Sequence, residues 1–290
     1  MKKAYNIINF CLKKSTKQVV FFYLIFHCLL IQSQNLNKQL PSHITQVEII
    51  LLMGQSNMKG RGKIIAEQTI NPNIILMNMT NDKWYPAIHP LHITGVPDLL
   101  DKSSKAGFGP GLDFAEALIK KNNSTLVALI PLAKGGSWID LWSPEKDLYK
   151  ETIRRTKKAL NDFPKEVKVS VKAALWLQGE SDAKGDRYMV YEKKLKKIVK
   201  NLRLDLDAPN LPFISATIGT FMEGISHKYP YYNEINNILL NAGKNIDNYG
   251  CVDARLFGKD RGDHIHYNTA SLQEIGKRYA EIYFNIVNKD

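Results

Sequence analysis

The chain has 290 residues, of which 44% are apolar, and it carries a formal charge of +12. This composition can fill the core of one large α/β domain or two small ones, and it excludes a globally disordered chain. The basic residues fall on helix-like faces, as at Lys193 and Lys194, and no nucleic-acid-binding motif accompanies them. We therefore interpret them as solvated surface and expect no nucleic-acid partner.

The first 34 residues resemble a secretory signal peptide. Five lysines and no acidic residue accompany the apolar run Val19–Ile31, which is shorter than the roughly 20 apolar residues that cross a bilayer. The pattern predicts a signal peptide over 1–34 and an exported bacterial protein, periplasmic or extracellular, with no stable membrane span after cleavage. An uncleaved amphipathic anchor is the alternative.

Removal of this segment changes the charge and the cysteine content. Its five lysines leave, so the formal charge falls from +12 to +7, and Cys11 and Cys28 leave with them. The remaining cysteine, Cys251, has no partner for an internal disulfide. A core rather than disulfides must then stabilise the domain, as suits a periplasmic enzyme.

Apolar β-type runs alternate with amphipathic stretches along the rest of the chain. The pattern predicts strands over 47–53, 125–132, 169–177, 212–218 and 250–254, and helices over 109–121, 147–161, 186–203, 231–245 and 269–287. Such alternation is typical of a parallel sheet covered by helices on both faces. We expect one α/β domain over 45–290, with short strands or edge elements at Ile74–Asn78 and Trp84–His89.

Polar segments follow three of the predicted strands. They read GQSN at 54–57, AKGGSW at 133–138 and QGESD at 178–182. Because the carboxyl ends of parallel strands meet at one edge of the sheet, we expect the three segments to lie together. A fourth segment, DHIH at 263–266, precedes the last predicted helix and can return to the same edge.

Ser56 is the candidate nucleophile, because a serine at a strand end can attack a carbonyl when a base lies within reach. His266 is the candidate base. Asp263, three residues earlier, is spaced so that one tight turn aims its carboxylate at the imidazole. Glu180 is the alternative acid. His264 lies closer to Asp263 in sequence, but a turn over these residues would point it elsewhere.

The DHIH segment also permits a plainer interpretation as the start of the last helix, with Asn268 or Thr269 as its N-cap. Both interpretations can hold together. A metal site built from Glu180, Asp182 and a histidine is disfavoured, because the chain has no metal-ligand spacing such as H-E-x-x-H.

Acyl transfer also needs donors aimed at the oxyanion. Gly135 and Gly136 can bring backbone N–H groups close to a substrate oxygen, although glycines at a strand end are more often plain turn residues. Gln178 offers a side-chain amide. Together with the Ser56 N–H, these groups make a candidate three-donor oxyanion hole.

The four segments, in this order, resemble the SGNH-hydrolase superfamily. They are most similar to its carbohydrate-esterase branch, which holds the sialate O-acetylesterases and the family 6 acetylxylan esterases. The likeness extends over nearly all of 47–285, and GQSNMKGRG and QGESD are its most specific pieces. The superfamily in general has an aspartate before the serine and an asparagine in the third block, so Gln55 and Gln178 favour the carbohydrate branch.

The resemblance implies a flavodoxin-like three-layer α/β/α sandwich of about five parallel strands, with no metal or organic cofactor. It implies Ser56 as nucleophile, His266 as base and Asp263 as acid, with Glu180 in the acid's role in some members.

It further implies that the oxyanion donors are the Ser56 N–H, a glycine of the Gly135–Gly136 pair and Gln178. We also expect Gln55 and Asn57, on either side of the nucleophile, to bind substrate.

The implied function is removal of O-acetyl groups from an acetylated glycan, of the acetylxylan or sialic acid type, through an acetyl-enzyme. One alternative is an esterase or deacylase that acts on non-carbohydrate esters. Another is a non-catalytic glycan-binding protein on the same fold, which the nucleophile–base pair disfavours because binding alone needs neither group.

Overall fold

The computed structural model describes residues 40–64, 67–92, 106–122 and 124–289. Ser42–Asp290 forms one compact unit. The predicted signal peptide, residues 1–34, lies outside the described residues. Within the ranges just given, no helix has the length and apolar character that a membrane crossing requires.

A seven-stranded sheet forms the centre of the molecule. Its strands are β1 (Gln46–Gly54), β2 (Ile74–Met77), β3 (Trp84–Pro86), β4 (Thr125–Pro131), β5 (Lys168–Leu177), β6 (Phe213–Ala216) and β7 (Tyr249–Val252). Their order is β3-β2-β4-β1-β5-β6-β7, and all neighbours are parallel except β2 and β3. The five predicted main strands are confirmed to within two residues, and the edge elements extend the sheet to seven strands.

The helices follow the strands as the alternation predicts. They are α1 (Ser56–Lys59), α2 (Gly111–Ile119), α3 (Asp147–Leu160), α4 (Tyr191–Asp205), α5 (Tyr232–Asn241) and α6 (Thr269–Val287). The helix expected from residue 186 begins instead as a 3-10 turn over Gly185–Val190. It becomes α-helical at Tyr191, whose buried hydroxyl donates to the Gln178 carbonyl at 2.9 Å and so ties the start of α4 to the end of β5.

Alternate side chains of the strands face two separate helical layers. On one face, Ile50 and Leu52 of β1 belong to an apolar cluster with Phe114 of α2 and Tyr279 of α6. On the other face, Trp176 of β5 donates its indole N–H to the hydroxyl of Tyr191 in α4 at 3.2 Å. The predicted three-layer α/β/α sandwich is thus confirmed.

A glycine at the end of β1 determines how the chain leaves the sheet. Gly54 has φ of 134°, and a Cβ there would lie 2.2 Å from the carbonyl oxygen of Leu177 at the end of β5. The next N–H, that of Gln55, donates to the same oxygen at 2.9 Å. An L-residue with a side chain does not fit this position. The chain therefore turns sharply into α1 and presents Ser56 at the carboxyl edge of the sheet.

Candidate active site

The candidate nucleophile, base and acid lie in one hydrogen-bonded row. His266 Nε2 lies 2.9 Å from Ser56 Oγ, and His266 Nδ1 lies 2.8 Å from Asp263 Oδ2. The other Asp263 oxygen accepts from the backbone N–H groups of Ile265 at 3.1 Å and His266 at 2.8 Å. This turn aims the carboxylate at the imidazole. The row has the geometry that allows an imidazole to take a proton from a serine hydroxyl.

His264, the neighbouring histidine, points away from this row. Its backbone N–H donates to Asp260 Oδ2 at 2.7 Å, and its ring Nδ1 lies 3.5 Å from the same oxygen. Asn268 caps α6 by accepting from the Ser271 N–H at 2.9 Å. The segment therefore forms both a turn that presents His266 and the start of the last helix.

Local charge and burial determine the protonation state of the row. Burial lowers the pKa of His266, and the charges of Arg61 and Arg261 lower it further. Asp263 raises this pKa but does not outweigh the other effects, so the pKa stays below its usual value. Burial alone would raise the pKa of Asp263, but hydrogen bonds from His266 and the adjacent backbone outweigh it and lower the pKa overall. At neutral pH the imidazole is thus neutral beside an ionised carboxylate, which is the state a general base requires.

Glu180, the alternative acid, faces a different partner. It is 1% exposed, and its Oε1 accepts a hydrogen bond from Asn57 Nδ2. Burial raises the pKa of Glu180 to about 7. Because His266 Nδ1 is bound to Asp263 instead, the geometry favours Asp263 as the acid.

Asn57 lies inside the protein rather than at the surface of a binding site. Its side chain is fully buried, donates to the carbonyl oxygen of Ile265 at 3.2 Å and accepts from the N–H of Tyr267 at 3.0 Å. Both ends of the amide are engaged by the chain. This position does not support the expected contact between Asn57 and substrate.

Gln178 is also directed inward. Its fully buried Nε2 lies 2.6 Å from Asp182 Oδ2, 3.0 Å from the Ser137 carbonyl and 3.1 Å from Gln55 Oε1. An amide nitrogen has two hydrogens, so these three acceptors use both. The position does not support the expected donation to an oxyanion, and Gln178 instead ties the other two segments of the edge together.

Gly136, the second glycine of the pair, borders open space at the edge of the sheet. A Cβ built on Gly136, whose φ is 70°, would meet no atom within 4 Å. Ser181 Oγ donates to the Gly136 carbonyl at 3.0 Å, and Ser137 Oγ lies 3.5 Å from the Gly54 carbonyl oxygen. The loop that carries Gly135 is thereby held beside Gly54, the first residue of the GQSN segment, as its position after a strand predicts.

Gln55 has one end of its amide fixed. Its Oε1 accepts from Gln178 Nε2 and, at 3.4 Å, from the N–H of Ser181. The side chain is 2% exposed. The expected contact between Gln55 and substrate stays a prediction.

A cleft of about 690 Å³ opens at His266 and Asp263. The other residues that line it are Arg61, Gly62, Lys63, Ala106, Gly107 and Arg261. Within the described part of its lining, three cationic side chains stand against one carboxylate. Arg261 links two segments of the cleft lining. Its Nη1 donates to the Arg61 carbonyl at 2.9 Å, and its Nε lies 3.4 Å from Asp263 Oδ2.

The sequence did not lead us to predict a role for Arg61, Lys63 or Arg261, because we interpreted the basic residues of the chain as solvated helix surface. Two signals were present. Arg61 lies in the GRG that follows the nucleophile, and Arg261 lies two residues before Asp263. Across the described ranges, no group of three or more His, Cys, Asp or Glu side chains is arranged to hold a metal ion.

A family model supports the resemblance read from the four segments. Residues 46–285 match the family described as carbohydrate esterase, sialic acid-specific acetylesterase. The chain therefore belongs to this family, and it is an esterase of the carbohydrate-esterase class.

Individual relatives agree with this assignment. A probable carbohydrate esterase of Arabidopsis thaliana is 29% identical over 264 residues, which cover 85% of this chain and 94% of the relative. The crystal structure of an Arabidopsis thaliana protein is 28% identical, with a TM-score of 0.69 over 82% of this chain and 98% of that one.

Two further structures share the fold. NanS superposes with a TM-score of 0.68 at 17% identity, covering 85% of this chain and 99% of that chain. A carbohydrate acetylesterase from Xanthomonas citri gives 0.54 at 15% identity, covering 84% of this chain and 57% of that chain.

Proposed function

We propose that this protein is a serine O-acetylesterase that removes acetyl groups from acetylated carbohydrates. The observation that carries the proposal is the row from Ser56 through His266 to Asp263 at the mouth of an open cleft. Family membership supplies the carbohydrate class. A non-catalytic glycan-binding role would not require a hydroxyl 2.9 Å from an imidazole nitrogen that is itself held by a carboxylate.

In the proposed reaction, Ser56 Oγ attacks the acetyl carbonyl carbon while His266 Nε2 takes the hydroxyl proton. The developing oxyanion accepts from the N–H of Ser56 and from the backbone N–H groups at Gly135–Gly136. His266 then gives its proton to the sugar oxygen as the ester C–O bond breaks, which leaves an acetyl-enzyme. A water activated by His266 hydrolyses that ester, releases acetate and returns the proton to Ser56 Oγ.

The charge of the cleft favours an acetylated acidic sugar over a neutral one. Arg61, Lys63 and Arg261 line the space beside His266, and a guanidinium pairs well with a carboxylate. The family description names sialic acid, a sugar that carries a carboxylate. Acetylated xylan, which lacks such a group on its acetylated xylose units, is the comparison substrate.

Acetate release tests the proposal. Purified protein is incubated with O-acetylated sialic acid and, side by side, with acetylated xylan, and Ser56→Ala serves as the control. Serine-dependent release, faster from the acidic sugar, is the expected result. Release from xylan alone would refute the assignment of an acidic sugar. Cleavage of a simple aryl acetate but of neither glycan would favour an esterase for non-carbohydrate esters, and binding without any cleavage would favour a glycan-binding protein.

The proposal includes export. The basic, then apolar, segment over 1–34 would direct the chain to the periplasm or the medium and be removed. N-terminal sequencing of the protein recovered from those fractions should give a start near residue 35. An intact Met1 on the exported protein would contradict cleavage.

A further inference from the structure

One side chain binds the loop on both sides of His266. Asn57 Nδ2 donates to the carbonyl oxygen of Ile265 at 3.2 Å, and Asn57 Oδ1 accepts from the N–H of Tyr267 at 3.0 Å. Because Asn57 follows Ser56 directly, these bonds join the nucleophile's own segment to the loop that carries the base. The distance between Ser56 and His266 therefore depends on the amide of Asn57.

This amide can bind the loop in only one orientation. If it were reversed, its oxygen would face the carbonyl oxygen of Ile265 and its NH₂ group would face the N–H of Tyr267. Glu180 Oε1 accepts a second hydrogen bond from Asn57 Nδ2. An acceptor at that place keeps the NH₂ group on the side where the Ile265 carbonyl also needs it.

Because both side chains are buried, loss of the hydrogen bond between Asn57 and Glu180 would be energetically costly. Asn57 is 0% exposed and Glu180 is 1% exposed, so water does not replace a lost partner and an unpaired group is costly. Burial also raises the pKa of Glu180 to about 7. The carboxyl group therefore takes up a proton near neutral pH, but its carbonyl oxygen still accepts from Asn57 when it is protonated.

We propose that Glu180 is a positioning residue that acts through Asn57 to hold His266 in register with Ser56. The inference rests on the proposed function, because it assigns Ser56 and His266 the chemistry. Asp263 and Glu180 then have different roles. Asp263 binds the imidazole itself, whereas Glu180 sets the place of the loop on which the imidazole stands.

Substitutions at Glu180 separate positioning from the role of an acid. Glu180→Gln keeps an oxygen acceptor for Asn57 and should retain kcat to within about threefold. Glu180→Leu removes the acceptor and should lower kcat roughly 10- to 100-fold with KM little changed, because a small displacement of a reacting group carries a penalty of that order. The assay uses serine-dependent hydrolysis of an aryl acetate by the full chain.

Two results would overturn the proposal. If Glu180→Gln lost as much activity as Asp263→Asn, Glu180 would be the acid of the row. If Glu180→Leu were as active as the wild type, the contact with Asn57 would not position anything. Glu48→Gln is the matched control. It alters another shielded carboxyl group, at the opposite end of β1, whose pKa burial also raises, and it should leave both kinetic constants unchanged.

A second pair of variants decides the matter if Glu180→Leu fails to fold. The assay runs at about pH 9, well above the pKa of about 7 to which burial raises Glu180. There Asn57→Asp places an oxygen against both the Ile265 carbonyl and an ionised Glu180, and it should lower kcat roughly 100-fold. Adding Glu180→Gln provides an NH₂ group that can donate to the new carboxylate, so the double variant should recover at least about tenfold. No recovery would contradict an action of Glu180 through position 57.

The imidazole itself provides a readout that needs no esterase activity. In the wild type, the His266 Nδ1 proton bound to Asp263 should give a resolved low-field proton resonance in NMR spectra. Asn57→Asp should broaden or shift this resonance, and Asp263→Asn identifies it by removing the acceptor. An unchanged resonance in Asn57→Asp would overturn the positioning role. Wild-type protein without serine-dependent hydrolysis would instead refute the proposed function while leaving this spectral test intact.

Discussion

The two halves of the candidate site are built differently. Ser56 stands at the end of β1, whose residues from Ile49 to Gly54 are buried between two strands, and it is only 6% exposed. His266 stands in a loop without regular secondary structure, in which Asp263 is exposed. Main-chain packing therefore positions the candidate nucleophile, whereas side-chain hydrogen bonds position the candidate base.

We therefore expect substitutions near Ser56 and substitutions near His266 to have different effects. A substitution that disturbs the main-chain packing on the nucleophile side should reduce the stability of the fold. A polar substitution on the base side should reduce the rate and leave the fold intact. Four substitutions test this separation of packing from hydrogen bonding.

Ser56→Ala removes the attacking oxygen and little volume. We expect a loss of kcat of roughly 10⁵- to 10⁶-fold, since removal of a nucleophile disables both the attack and the acyl-enzyme. The thermal unfolding midpoint should stay close to that of the wild type. Turnover within tenfold of the wild-type rate in a clean preparation of Ser56→Ala would remove Ser56 from the mechanism.

Asp263→Asn tests the base side. An amide can still accept from the backbone of the turn, but it presents its NH₂ group to His266 Nδ1 and favours the wrong tautomer. The expected loss in kcat is roughly 10⁴-fold, with unfolding unchanged. Steady-state kinetics on an aryl acetate measure it, and a loss below tenfold would show that another group orients His266.

Gly54→Ala tests the nucleophile side by steric fit alone. The new methyl group would lie 2.2 Å from the Leu177 carbonyl oxygen in a backbone conformation with φ of 134°. We expect the free energy of unfolding to fall by about 2–5 kcal/mol. Chemical denaturation measures this. Gly243→Ala, where a Cβ meets its nearest atom at an ordinary 3.5 Å, is the control and should change stability little.

Arg261→Gln should move the pH profile by a small amount in a defined direction. The positive charge of Arg261 lowers the pKa of His266, and the base works only when it is neutral. Removing the charge raises that pKa, so the acidic limb of kcat/KM should shift to higher pH.

An uncharged aryl acetate keeps substrate charge out of that comparison. Arg154→Gln, which changes an arginine paired with Asp82 and Glu151 on another surface, should leave the limb in place. A shift of the Arg261→Gln limb to lower pH would contradict the electrostatic account of the base side.

Local signals in the sequence predict most of the fold and the hydrogen-bonded row of Ser56, His266 and Asp263. The strands are visible because buried parallel strands read as continuous apolar runs. The three-residue spacing of Asp263 and His266 is enough to predict their contact, because a single local turn brings the carboxylate to the imidazole. The short β2 and β3 give weaker signals, because a four-residue run carries little periodicity.

The orientation of buried polar side chains could not be read in the same way. Asn57 and Gln178 lie beside or after the expected strand ends, but both point inward. Their partners lie far away in the chain: Asn57 binds Tyr267, 210 positions on, and Gln178 binds Ser137, 41 positions before. Such contacts depend on how the segments assemble, which no local pattern of residues contains.

Covalent labelling is the sharpest test of whether Ser56 is the nucleophile. The protein is treated with an aryl organophosphate that modifies activated serines, and the adduct is located by peptide mass spectrometry while acetate release is followed. We expect one phosphorylated peptide, with the label on Ser56, and a loss of activity in proportion to labelling. His266→Ala should label far more slowly. A label on another residue, or full activity in protein labelled at Ser56, would contradict the account.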